Sequence, residues 1–312
     1  MKKFIVILFA VLLCGCTPQN TPEHSETRFL MDTVCTIRAG GENSEYAVVA
    51  AFDRIKEISD ITDYYSETSE TSKINNASEN EEISLSDDMT NILSAALDVC
   101  ESSEGAFDIT ISPLKDLWNI SEGSHPPPSD SDIQNALQDV DYKQLILNKD
   151  AKTLTKTTSQ CKIDLGGVAK GYAADCAAEV LSQNGCEYAL IDLGGNVYAY
   201  GKNPKRADGK WIIGIQTPFK ETGSFSQTVS LSQGAVVTAG CYQRYFEWDD
   251  KLYHHIIDPK TGYPSTQNIL GASIKTDTAL YADCLSTACM VLGEEKGREL
   301  AKKYNAELFI EK

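Results

Sequence analysis

The sequence predicts an α+β fold of mixed, largely antiparallel sheets with packed helices, and three observations support it. Strand-like runs at residues 188–200, 211–216 and 228–231 follow one another with no helical segment between them, which favours antiparallel neighbours over a doubly wound sheet. Residues 143–148 and 152–156 read as two strands turned by Lys149-Asp150, a hairpin. Helices interrupt the strands at irregular intervals, and no repeat of solenoid length is visible. With 42% hydrophobic residues in a chain of 312, a substantial core can form in one large domain or two small ones.

Residues 1–16 carry Lys2-Lys3, an apolar run from Phe4 to Leu13, and the close Leu13-Cys14-Gly15-Cys16. The run is too short to span a bilayer stably and reads as an export signal. A small residue followed by Cys at its end resembles the bacterial lipobox. That resemblance implies removal of residues 1–15 and a diacylglyceryl anchor on Cys16. The protein is then expected at the cell membrane, lipid-anchored and facing the extracytoplasmic side. Residues 16–27, polar with two prolines, are expected to be a flexible tether, which leaves residues 28–312 as the folded domain.

Along that domain, Arg28 to Ile37 alternates like a strand and carries Met31-Asp32-Thr33. Apolar residues at 48, 52, 55 and 58 give a packing helix over 43–60, capped by Asn43 or Ser44. The polar loop from Thr62 holds adjacent Tyr64 and Tyr65, then Ser69 and Asn75. A helix starts at Ser86, with Asp87 and Asp88 at its positive end, and stops at Gly105. Residues 105–112 read as a strand end leading into a short helix, and Trp118 suits the core better than a ligand wall. Residues 121–131, with Pro126-Pro-Pro128, form a surface loop with a solvated His125, and Asp130 to Val140 a helix.

The stretch Asp164-Leu-Gly-Gly-Val-Ala-Lys-Gly171 organises the rest of the chain. An apolar strand from Cys161 to Leu165 is expected to turn through Gly166 and Gly167 into an Ala-rich helix, Val168 to Asn184. Glycines let a ligand approach the backbone, and the unpaired N–H groups of a helix start attract phosphate. Lys170 adds a full positive charge in the first turn. Further on, a helix from Leu280 to Leu292, capped by Asp277 or Thr276, puts Asp283, Ser286 and Thr287 on one face. A carboxylate and a hydroxyl one turn apart suit a hard divalent cation such as Mg²⁺, with phosphate and water completing its shell. His255 lies between an aromatic-rich strand, Tyr242 to Trp248, and a turn set by Asp258-Pro259 and Thr261-Gly262, while neighbouring His254 reads as structural.

Three segments in this order resemble the ApbE family, the FAD:protein FMN transferases, from about Met31 to the C-terminus. They are the glycine turn at 164–171, Thr238-Ala-Gly with His255-Ile-Ile-Asp-Pro-Lys-Thr-Gly-Tyr-Pro264, and Ala282-Asp-Cys-Leu-Ser-Thr-Ala288. The resemblance implies Mg²⁺-dependent transfer of FMN from FAD to a Thr or Ser hydroxyl of an exported flavoprotein subunit, with AMP released. It implies FAD contacts at Met31, Tyr65, Ala106, Phe107, Asp108, Asp164, Lys170 and Ile257, with Tyr64 the alternative to Tyr65. It further implies metal ligation by the Gly167 carbonyl, Asp283, Ser286 and Thr287, and catalytic roles for His255, beside the transferred phosphate, and Asp283. The family usually has Pro where Ile109 stands and Ala at Gly167. With water as nucleophile the same site would be an FAD pyrophosphatase giving FMN and AMP, and a non-catalytic FAD-binding lipoprotein is a third possibility. The residues alone leave these three open.

A formal net charge of −17 argues against nucleic acid and against a peripheral patch on anionic lipid. An anionic ligand must therefore be held by a local site or a cation. Of the ten cysteines, eight survive removal of Cys14 and lipidation of Cys16. There is no CxxC pair, and Cys100, Cys176, Cys284 and Cys289 fall at apolar helical positions, so mostly buried free thiols are expected, with pairing open.

Overall fold

The computed structural model describes residues 21–221 and 223–312; the expected signal segment and Cys16 lie outside the described residues. Strands β1 (Glu23–Leu30) and β2 (Thr33–Gly40) form a hairpin. Its turn is Met31-Asp32, at φ 52° and 57°, the two-residue geometry whose twist matches the flanking strands. The sequence reads as one strand through this point because neither turn residue is glycine. The hairpin also corrects the tether: residues 23–27 pair in register with 36–40, which satisfies backbone groups that a tether leaves to water. The folded chain thus begins by Glu23 rather than at residue 28.

Helix α1 (Ser44–Thr62) buries Val48, Phe52, Ile55 and Ile58 at helical spacing. Helix α2 (Glu70–Asn76) is capped by the Ser69 hydroxyl, which accepts the Ser72 N–H at 3.0 Å. Strand β3 (Glu82–Ser84) leads to α3 (Asp87–Ser102), capped by Ser86. The short helices α4 (Ser112–Trp118) and α5 (Asp130–Leu137) follow. Strands β4 (Leu145–Asn148) and β5 (Thr153–Lys156) form the expected hairpin and join β3 in a sheet of order β3-β5-β4.

Helix α6 (Ala169–Gln183) precedes β6 (Tyr188–Leu193) and β7 (Asn196–Gly201). Gly194 and Gly195, at φ 67° and 95°, turn the expected single broken strand into two paired strands. Strands β8 (Trp211–Gln216) and β9 (Phe225–Leu231) pair with each other, then come β10 (Gly234–Gly240) and the hairpin of β11 (Tyr245–Trp248) with β12 (Lys251–His254). Strand β13 (Gly271–Thr276), helix α7 (Ala279–Lys303) and β14 (Glu307–Glu311) complete the chain.

Seven strands form one sheet in the order β1-β2-β6-β7-β10-β13-β14, every neighbouring pair antiparallel. The α+β prediction holds. One face is covered by helices: Ile37, Ile191, Val237 and Ile274 share the main buried cluster with Phe52, Leu93, Ala173 and Leu285. The other is covered by the β8–β9 hairpin, where Trp211, Ile213 and Val229 meet Ala199 and Val236. A third cluster of Leu114, Trp118, Ile133, Phe246 and Ile257 binds α4 and α5 to the β11–β12 hairpin. Trp118 is core, as expected, and its Nε1–H donates to the Gly262 carbonyl at 2.7 Å. The eight cysteines of the described residues are all buried free thiols. Burial pushes the Cys284 thiol well above its ordinary value, so these side chains behave as small hydrophobes.

Candidate active site

A Cβ at Gly171, in the first turn of α6, would stand 2.2 Å from the Ala279 carbonyl oxygen and 2.8 Å from Asp283 Cβ. Only glycine lets α6 and α7 touch there. The contact hands the Gly171 N–H to the Asp283 carboxylate at 2.9 Å. One turn earlier, a Cβ at Gly167 would lie 3.5 Å from Thr287 Oγ1, so Gly167 and Gly171 face Thr287 and Asp283 in register. Asp283 is 5% exposed; its Oδ2 takes the Gly171 amide, and its Oδ1 takes no hydrogen bond from the described residues. Ser286 Oγ is buried and donates to the Asp283 carbonyl at 2.9 Å, so its proton stays within α7 while its lone pairs are left over.

The expected caps of α7, Asp277 and Thr276, do not act as such. The N-cap is Thr278, without a side-chain bond, and the amides of Ala279 and Leu280 donate instead to the Asp175 carboxylate at 2.8 and 2.9 Å. Burial pushes the Asp175 carboxyl up to about 6, opposed by these amides and reinforced by the Asp283 charge. Sequence reasoning missed Asp175 because a cap supplied by another helix leaves no local pattern. Helix α7 bends at Gly293, φ 78°, where the sequence ended the predicted helix.

The strand expected over Cys161 to Leu165 is absent; this segment has no strand neighbour and is held by side chains and by one backbone bond to Ile109 instead. Asp164 Oδ1 accepts the Gly166 N–H at 2.9 Å, and Oδ2 is ion-paired with Lys115, a residue that sequence reasoning passed over. The Lys115 ammonium also lies 4.4 Å from the Tyr64 ring centre and 5.2 Å from that of Tyr65. Tyr64 is committed, its hydroxyl donating to Asp116 at 2.6 Å, whereas Tyr65 is 75% exposed and its ring meets only the edge of Tyr64 and the Lys115 ammonium among the described residues. Lys115 thereby joins two of the expected FAD contacts, Tyr65 and Asp164. Lys170 folds back over the turn and donates to the Gly166 carbonyl at 3.3 Å.

Phe107 packs on the turn, where a Cβ at Gly167 would come within 3.0 Å of its ring. The alanine usual in the resembling family would press on that ring. Asp108 is buried with both oxygens engaged: the Thr110 N–H and hydroxyl donate to Oδ1 at 2.8 and 2.6 Å, and the Tyr142 N–H to Oδ2 at 3.0 Å. That carboxylate shapes the loop that presents Ala106 and Phe107. Ala106 lines a cleft of about 520 Å³ with Asp258, Lys260, Gln267 and the bend at Gly293. Met31 is half-buried at the β1–β2 turn, whose Thr33 abuts Gly194. Ile257 is packed in the cluster around Trp118.

The adjacent histidines differ. His254 is buried with both nitrogens engaged, Nε2 with the Ser265 carbonyl at 2.9 Å and Nδ1 with the Ile256 N–H at 3.3 Å; it is structural, as expected. His255 Nδ1 lies 3.1 Å from the Arg244 carbonyl, which can only accept, so Nδ1 carries the proton and Nε2 the free lone pair. Burial pushes its pKa down to about 4; the Arg244 carbonyl opposes this, and the charges of His254, Arg244 and Lys170 add to it. His255 is therefore neutral at pH 7 and gains a proton only as pH falls toward about 4. NMR titration of the free protein is expected to show no protonation of this ring from about pH 8 to about 5.5. A midpoint near 6.5, the ordinary value, would mean a solvated ring.

Among the described residues no three His, Cys, Asp or Glu side chains are grouped so that they could hold a metal ion; Asp283, with hydroxyl and carbonyl oxygens beside it, is what the turn offers to a cation. The FAD:protein FMN transferase of Haemophilus influenzae is 33% identical over 264 residues, 82% of this chain and 75% of that protein. That of Treponema pallidum is 29% identical over 315 residues, 96% of this chain and 87% of its own length. The crystal structure of the ApbE protein from Thermotoga maritima superposes with a TM-score of 0.82 at 31% identity, over 93% of this chain and 94% of that one. The flavin transferase ApbE from Vibrio cholerae gives 0.80 at 25% identity, over 93% of each chain. Fold and site together define a flavin transferase. The profile of the ApbE family matches residues 31–310, and the chain belongs to that family.

Proposed function

We propose that the protein moves FMN from FAD to a Thr or Ser hydroxyl of an exported flavoprotein, in a Mg²⁺-dependent reaction that releases AMP. The observation that carries this reading is the facing of Gly167 and Gly171 with Thr287 and Asp283. It gathers a helix start, a nearly buried carboxylate with one unengaged oxygen, and a hydroxyl around one point. A largely buried carboxylate with one unengaged oxygen suits a cation. The residues fit Mg²⁺: Asp283 supplies charge, and Thr287, Ser286 and the Gly167 carbonyl supply neutral oxygens. Bound there, Mg²⁺ would supply positive charge to the pyrophosphate of FAD.

Lys170 and the α6 N-terminus add to that neutralisation, and Tyr65, Ala106 and Phe107 hold the rest of the dinucleotide. His255 Nε2 accepts the proton of the acceptor hydroxyl as its oxygen bonds to the FMN-side phosphorus; the bond from that phosphorus to the bridging oxygen breaks, and AMP leaves. The anionic pyrophosphate raises the low pKa of His255 towards the working range. Lipidation at Cys16 would hold the enzyme at the extracytoplasmic membrane surface, where an exported acceptor is met.

Incubation with FAD, Mg²⁺ and a candidate acceptor domain is expected to add one FMN to the acceptor, read by intact mass, with an equal amount of AMP. Free FMN beside an unmodified acceptor would make the protein a pyrophosphatase. Intact FAD, bound and unchanged, would make it a storage protein.

A further inference from the structure

We infer that Asn75 and Lys156 are positioning residues for the glycine turn, two side chains that hold, in place of a sheet, the segment delivering Asp164, Gly167 and Lys170. This rests on the proposed function in placing substrate and cation at that turn. The backbone of 161–165 enters the turn without a strand partner, yet the amides of Ile163 and Asp164 and the carbonyls of Cys161 and Ile163 are paired. The Asn75 side-chain amide exchanges two hydrogen bonds with Ile163: Nδ2–H donates to its carbonyl at 3.0 Å, and Oδ1 accepts its N–H at 2.7 Å. One side chain thus reproduces the double bond exchange of a β-ladder pair. The Asp164 N–H donates to the Ile109 carbonyl at 2.8 Å. The Lys156 ammonium donates to the carbonyls of Cys161, at 3.0 Å, and Asn75, at 3.1 Å.

Lys156 is fully buried, and among the described residues no carboxylate is ion-paired with it. Burial lowers its pKa. An ammonium in such a place is costly, and an apolar side chain of its length would fill the space without that cost. What the ammonium adds is directional: it ties the end of β5, the end of α2 and the start of the 161–165 segment into one node. Helix α2 is capped by Ser69, whose hydroxyl donates to the Asp63 carbonyl at 2.6 Å, so the loop that carries Tyr65 is fixed to the same node. The ring expected to meet the flavin and the turn expected to meet the phosphates are then held at one separation before FAD arrives.

The test uses Asn75→Leu and Lys156→Met, which keep bulk and remove the bonds. Both are expected to fold, to exchange the amides of residues 163–168 roughly ten-fold faster, and to bind FAD without metal roughly ten-fold more weakly. Across an FAD titration at saturating Mg²⁺ the effect should fall on KM rather than on kcat. Asn75→Ser shortens the side chain without adding charge and removes the reach to both Ile163 groups while leaving the Lys156 bonds; it should weaken FAD binding and speed exchange in the same direction, and it serves if the bulkier variants do not fold. Val229→Ala, in the β8–β9 hairpin on the opposite face of the sheet, is the comparison for general destabilisation and should leave FAD affinity unchanged. Variants of lowered Tm with wild-type FAD affinity and wild-type exchange at 163–168 would overturn the inference. A wild-type protein that binds FAD but never transfers FMN would sink the proposed function instead, and leave the binding and exchange result standing.

Discussion

Asp283→Ala is expected to abolish metal-dependent transfer, by roughly 10³-fold or more, because among the described residues it removes the one charged oxygen donor proposed for the cation and with it several kcal/mol of charge stabilisation. The structure supplies the reason that excess Mg²⁺ should restore little. The remaining donors, Thr287, Ser286 and the Gly167 carbonyl, are neutral, and a hard cation held by neutral oxygens alone stays hydrated. The substitution also strips the Gly171 N–H of its acceptor, a loss on the order of 1 to 3 kcal/mol. That loss is offset in part by the relief of a carboxylate that is 5% exposed. The measurements are transfer rate across a Mg²⁺ titration and Tm. Full activity without added metal would remove Asp283 from the mechanism.

His255→Ala is expected to slow transfer by roughly 10²- to 10⁴-fold, the usual worth of a positioned proton acceptor, while FAD and Mg²⁺ binding persist. Among the described residues the ring makes one hydrogen bond, from Nδ1 to the Arg244 carbonyl, worth about 1 kcal/mol, and the packing lost with the ring adds to that, so Tm is measured beside the rate. Calorimetry of FAD binding beside single-turnover transfer separates the two residues: Asp283→Ala should lose the metal, His255→Ala the rate. Transfer by His255→Ala at the wild-type rate would sink the assignment of the base.

Local periodicity made α1 legible, since its buried face recurs at helical spacing; α3 was legible from its Ser86 cap and acidic start and α6 from its Ala-rich run, and the sequence also placed the first half of α7. The β4–β5 hairpin, the structural role of His254 and the core position of Trp118 were legible as well, from a turn between two strand-like runs and from residue type. The turn at Met31-Asp32 was not, because a positive φ at non-glycine residues is settled by the pairing of the flanking strands. Nor was the segment 161–165, whose apolar run imitates a strand although its bonds go to Asn75 and Lys156. The two tyrosines could be separated only once Asp116 was seen to engage Tyr64.

By itself, then, the sequence determined which residue types the site can use: a glycine turn before a helix, a lysine in its first turn, a carboxylate and two hydroxyls on one helical face, and a histidine beside a tight turn. Those follow from near neighbours in the chain, because helix and turn geometry are set over three or four residues. Tertiary structure decided what those groups meet. Gly171 has to be glycine because α7 passes within contact of it, Asp175 caps a helix more than a hundred residues away, and Asp164 is held by Lys115. Contacts of that kind depend on how the elements pack against one another, and packing between distant segments leaves no periodic mark in either of them.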